Sequence, residues 1–148
     1  MYPLLLTLHN WVRWLVVLFG IYALVRAYRG FFGRRVWTAA DKQAGTLFSI
    51  SIDVQLLIGL ILAFVSPLMA AAASNMASAM QSDELRRILV EHIPLMVLAV
   101  VFVHIGTLGA RRAADDRRRF LRSVIWFSLT ALVLLAAIPW WRPLLRLP

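Results

Sequence analysis

The chain reads as an all-α integral membrane protein, a four-helix up-down-up-down bundle with both termini on the outer, periplasmic side. Three observations predict this. Of its 148 residues, 61% are hydrophobic and the mean hydropathy is +0.77, well beyond what a soluble domain needs to build one core. Four apolar stretches, at 4–27, 45–66, 87–109 and 121–140, are each about 20 residues or longer, the length that crosses a bilayer at a rise of about 1.5 Å per residue. The basic residues concentrate in two of the connections between those stretches, which is how membrane orientation is encoded.

In the first span, the run from Trp14 to Leu24 follows Arg13 and ends at Arg26 and Arg29 rather than at a small-residue cleavage site. It is therefore expected to be a retained helix, not a signal peptide. The second span stops at Pro67. The connection 67–86 carries an alanine- and methionine-rich stretch with only Ser and Asn for polarity, expected to be helical and to lie in the membrane interface. Ser82, Asp83 and Glu84 have the character of a helix N-terminus, acidic residues being favourable near the positive end of the dipole. Trp140 and Trp141 at the end of the fourth span, with Trp11 and Trp14 in the first, are candidates for an aromatic belt. The chain is expected to form one transmembrane domain over 1–148. Lipid-exposed strands are excluded because unpaired backbone groups would face hydrocarbon.

Arg26, Arg29, Arg34, Arg35 and Lys42 lie between the first two spans, and Arg111, Arg112, Arg117, Arg118, Arg119 and Arg122 around the last connection. The positive-inside rule places both connections in the cytoplasm. The formal charge of +9 thus reports topology, and nucleic acid is not an expected partner. The absence of cysteine excludes disulfides, iron–sulfur clusters, thiolate-ligated haem, covalent c-type haem and Cys-based zinc sites within this chain.

The histidines carry the functional argument, because ionisable groups at membrane depth are costly and usually mark a cofactor, a proton path or a polar contact inside the bundle. His9 lies about 7 Å below the outer end of the first span and His92 about 6 Å below that of the third. The two are level. His104 is about 18 Å deeper and rotated by about 120° from His92, so it cannot share a ligand-sized site with them. Two level histidines on different helices of a four-helix bundle are an arrangement that axially ligates one b-type haem. His9 and His92 are accordingly the candidate iron ligands. Isolated polar residues bonded across helices, or wetted at the interface, are the plainer explanation.

Arg13 shares the face of His9, and a buried guanidinium there needs an anion: a haem propionate or Asp53, the acid in the middle of the second span. Gln55 and Gly59, four residues apart, form a face that admits a close-packed helix or the flat edge of a porphyrin. Glu91 is an interface acid or a partner for a histidine. Pro94 sits in the first turns of the third helix, and Met96 shares a face with His92, as packing or as a fallback ligand. His104, with Gly106 and Gly109, is expected at a helix–helix contact, the functional alternative being a quinone headgroup or proton-entry site.

With Leu8, His9, Trp11, Arg13 and Trp14 on the first helix, Gln55 and Gly59 on the second, and Glu91, His92, Pro94 and Met96 on the third, most of the chain resembles a family of small bacterial four-helix membrane proteins labelled cytochrome b-like. The resemblance implies haem b and membrane electron transfer, carried by His9 and His92, in a bacterial inner membrane. The leading expectation is a single-haem cytochrome in a quinone-linked chain, with Arg13, Gln55 and Gly59 lining the cofactor. Expected partners are the lipid bilayer, a quinone or quinol, and other membrane-complex subunits or a homodimer. No constellation for bond-breaking catalysis is visible, so an electron-transfer protein or complex subunit is expected rather than a stand-alone enzyme. The alternatives are a haem-free accessory subunit of a respiratory or photosynthetic complex and, third, a small transporter using Asp53, Arg13 and His104 as a polar path.

Overall fold

A computed structural model describes residues 1–138, and the chain is helical nearly throughout, with no strand among the described residues. Four helices are long and apolar enough to cross a membrane, Tyr2–Phe32, Ala39–Val65, Asp83–Arg111 and Asp116–Ala137, as expected of a multi-pass membrane protein. Each reaches close to, or past, the bounds that hydropathy alone marks, because the polar flanks continue the helix beyond its apolar part. Trp140, Trp141 and the end of the fourth predicted span lie outside the described residues.

Helix α1 (Tyr2–Phe32) opens with a proline in its first turn, where the missing N–H costs nothing. Helix α2 (Ala39–Val65) follows Thr38, whose backbone N–H donates to Asp41 Oδ2 at 2.8 Å. The same carboxylate accepts from Arg26 Nε at 2.7 Å, so one acidic residue both starts α2 and fastens it to α1. At the far end Pro67 disfavours helical backbone in the residue before it, and Ser66 is extended at φ −77°, ψ 122°.

Two short helices, α3 (Pro67–Ser74) and α4 (Met76–Gln81), occupy the connection expected to be helical. Ser66 caps the first and Asn75 the second, each accepting a bond from a backbone N–H one turn on. Ser82 does the same for the next helix through Leu85.

The third span is composite: α5 (Asp83–Arg86), a π-helical segment (Arg87–His92) and α6 (Ile93–Arg111). Sequence places Pro94 near the start of this helix, but the helix begins at Asp83, so Pro94 falls well inside it. A proline there has no N–H for the carbonyl of Val90 and its ring clashes with that carbonyl. The chain absorbs it by widening the preceding turn: Ile93 N–H bonds the carbonyl of Ile88, five residues back, the π pattern. Helix α7 (Asp116–Ala137) is capped by Asp115, which accepts from Arg118 N at 2.8 Å.

The four long helices pack in a ring, α1 against α2 and α7, and α6 against α2 and α7. Small residues let them approach. A Cβ on Gly20 would lie 2.9 Å from the Phe48 ring, and one on Gly106 would lie 2.8 Å from Trp126 Cβ. Phe48 and Phe127 meet edge to face at the centre, 5.7 Å between ring centroids, within a core that includes Val16, Ala23, Ala27, Ala44 and Val103. Buried polar contacts cross the helices, notably Ser49 to Thr107 at 2.8 Å. Outward, Leu18, Leu57, Leu132 and Leu135 are more than half exposed. Alanine and glycine inside with leucine outside is the reverse of a soluble core and suits a protein whose solvent is lipid.

The two basic connections meet at one end of the bundle. Trp37 lies against Phe120 with ring centroids 4.8 Å apart, and Arg111 donates to Thr46 at 2.8 Å. His9, His92 and the short helices gather around the other end.

Candidate functional site

At that other end a cavity of about 180 Å³ is lined by His9, Asn10 and Arg13 of α1, Gln55 and Gly59 of α2, Ser66, and His92 and Met96 of the third span. Apolar side chains such as Leu6, Leu60, Met69 and Leu134 complete the wall. An apolar pocket with a few convergent polar groups is the usual form of a ligand site. Every residue that the sequence nominates for cofactor contact, His9, Arg13, Gln55, Gly59 and His92, is on this one lining.

The two imidazoles are 6.4 Å apart between ring centroids, with their planes at 73°. Each is held by a different device. His92 Nδ1 donates to the backbone carbonyl of Ala137, 2.8 Å away near the C-terminus of α7. A carbonyl only accepts, so Nδ1 carries the proton and Nε2 is the lone-pair nitrogen of this ring. His92 closes the π-helical segment, so the turn widened by Pro94 sets its direction.

His9 is gripped from α2. Gln55 Nε2 donates to His9 Nε2 at 3.1 Å and to the carbonyl of His9 at 3.1 Å. An amide NH₂ only donates, which makes Nε2 the acceptor and puts the proton on Nδ1. Nδ1 of His9 and Oε1 of Gln55 are then buried with no hydrogen-bond partner. An orphaned buried polar group costs about 1–3 kcal/mol, so two in one contact mark a place where polar demand exceeds supply. Gly59 makes the approach possible, because a Cβ there would lie 3.1 Å from His9 Cε1. The Gln55–Gly59 face thus accommodates an imidazole edge.

The other sequence candidates separate cleanly. Met96 is buried on the same lining. The guanidinium of Arg13 lies 5.8 Å from the Trp14 ring centroid while reaching the cavity. Glu91 is exposed. Asp53 bonds not to Arg13 but to His104, whose Nε2 is 2.9 Å from Oδ1 and 3.2 Å from Oδ2. Asp53, one of the two anions that the sequence offers Arg13, faces α6 instead.

Two participants escape sequence reading. Ala137 acts through its carbonyl, which no residue type reveals, and Ser66 enters the cavity only because the chain turns there. Among the described residues no group of three or more His, Cys, Asp or Glu side chains gathers as a metal site. Comparison with protein-family models, curated proteins and solved structures finds no match.

Proposed function

We propose that the chain is a membrane-bound b-type cytochrome of a bacterial inner membrane, with one bis-histidine haem near the outer face, passing electrons in a quinone-linked chain. In this reading the bundle runs up-down-up-down, with the basic connections in the cytoplasm and both termini outside. The observation that carries it is the approach of His9 and His92, on separate spans, across one cavity.

The donor set suits the group. His92, oriented by the Ala137 carbonyl, is an imidazole whose tautomer is set by an outer partner, as is common for metal-binding histidines. Arg13 supplies a cation for a propionate, and Gly59 a wall without a Cβ. A tetrapyrrole needs more than 180 Å³, and the lining that must yield includes Met69 and Met96, the most adaptable apolar side chains. Ligation through His9 requires Gln55 to release Nε2 while keeping the backbone carbonyl.

The haem would supply one-electron chemistry, and the chain's own part is ligation, burial and tuning. His9 and His92 would hold the iron from two spans, and the apolar lining limits water. Arg13 offsets anionic charge at the cavity wall.

Protein from haem-replete cells should show the reduced-minus-oxidised bands of a low-spin haem, lost in His9→Ala and His92→Ala and kept in His104→Ala. A colourless preparation that takes up no added haemin overturns the reading.

One observation favours a second reading, a haem-free accessory subunit: Gln55 already engages His9 Nε2, and the His rings stand edge to face, contacts that serve as interhelical glue. A colourless preparation whose thermal stability falls in both alanine variants would support it.

A further inference from the structure

The contact between Asp53 and His104 lies outside the cavity and answers to a different demand. It joins α2 to α6 within two membrane-crossing helices, yet the side chains are 42% and 41% exposed. Around it the surface is apolar: Ile50 and Leu57 flank Asp53 on α2, and Val101 and Leu108 flank His104 on α6, each more than 40% exposed. A carboxylate and an imidazole are thus presented outward at membrane depth on an otherwise hydrocarbon-compatible face. Ionisable groups in spans almost always face a bundle interior or a cavity and pair with further polar groups, because hydrocarbon satisfies neither. The internal bond occupies Nε2 of His104 but leaves much of both groups on the outside.

We propose that this α2/α6 face is the interface of a homodimer, covered by a second copy of the same chain. Symmetry supplies the complementarity. Copies inserted with the same orientation can pair by a two-fold axis along the membrane normal, and a two-fold interface sets the same patch against itself. Asp53 and His104 lie side by side at one depth, since they touch across two helices. Rotation by half a turn therefore brings each imidazole opposite the partner's carboxylate and each carboxylate opposite the partner's imidazole, closing a ring of four groups. Leucine, isoleucine and valine around the ring complete a packed apolar margin. The interface requires only the membrane-spanning reading and is independent of haem.

The absence of cysteine makes the test direct. Because the half-turn sets Leu57 of one copy opposite Val101 of the other, two tagged copies, one carrying Leu57→Cys and the other Val101→Cys, are co-expressed, with Leu18→Cys on the outward side of α1 as control, oxidised in native membranes and resolved by non-reducing electrophoresis. Disulfide dimers should form between the Leu57→Cys and Val101→Cys copies and stay at background for Leu18→Cys. Adding Asp53→Leu with His104→Leu should lower the dimer fraction, by about three- to thirty-fold in association constant for each interhelical hydrogen bond lost. Light scattering of the detergent-solubilised protein should give twice the chain mass for the unaltered sequence and a smaller value for the double leucine variant. Cross-linking between the Leu57→Cys and Val101→Cys copies no higher than at Leu18 overturns the proposal, as does cross-linking unchanged by the double substitution. If cross-linking is at background and a short-chain hydroquinone binds wild type but not the double variant, a lipophilic ligand covers the pair and the dimer is wrong.

Discussion

The side-chain amide of Gln55 bonds twice to one residue, at 3.1 Å to the ring of His9 and at 3.1 Å to its backbone carbonyl. It ties α2 to α1 and at the same time occupies the lone pair that a metal would use. The competition has a measurable consequence.

Gln55→Leu should destabilise the haem-free protein by about 1–3 kcal/mol, the cost of leaving buried Nε2 of His9 without a partner. With haem bound the same substitution should cost less if, as proposed, iron takes that nitrogen. Thermal unfolding in detergent with and without haemin reads the difference, and equal losses in both states would remove iron from His9.

Gly59→Ala introduces a Cβ 3.1 Å from His9 Cε1. That is tight enough to displace the ring, and overpacking of this kind costs about 1–3 kcal/mol. Haem bands should weaken or shift in Gly59→Ala. A Gly109→Ala control, where a Cβ meets only Arg122 Cδ at 3.4 Å, should leave them unchanged.

Pro94→Ala separates stability from site geometry. It restores the N–H and removes the ring clash, and proline in a helix interior costs about 3 kcal/mol, so the midpoint of unfolding should rise. A regular α-helical turn in place of the π-helical segment would rotate His92 away from the Ala137 carbonyl, so ligation should fall. A variant as stable and as well ligated as wild type would show that the proline does not cause the wide turn.

Asp41→Ala should lower stability by about 1–2 kcal/mol, the range for losing a helix cap. Arg26→Ala should cost less, because the guanidinium is 32% exposed and partly exposed ion pairs contribute about 1 kcal/mol or below. Equal losses, measured by denaturant unfolding in micelles, would mean that the ion pair rather than the cap holds this corner.

The legibility of the molecule follows the same division between local and long-range causes. Helix existence and type could be read directly: apolar stretches near 20 residues, Pro67 after the second span, Ser82 before the third. Gln55 and Gly59 were recognisable as one face because i and i+4 share a side of a helix. Pro94 misled, since its place was counted from the apolar boundary at 87 and not from the Ser82 cap. Asp53 misled too, because helical rise yields depth but not the direction of a side chain relative to a neighbouring helix.

Composition and spacing by themselves determined that this chain forms four apolar helices long enough to cross a membrane, and that His9 and His92 lie level while His104 lies apart. Those properties depend on one helix at a time, on transfer free energy and a rise of about 1.5 Å per residue. Only tertiary structure decided which groups meet: His9 with Gln55, His92 with the carbonyl of Ala137, Asp53 with His104. Such pairings depend on the rotation of each helix about its axis, which is set by where glycine and alanine let neighbours approach, by Phe48 and Phe127 filling the centre, and by a π-helical segment that re-aims one histidine. No residue carries that information alone.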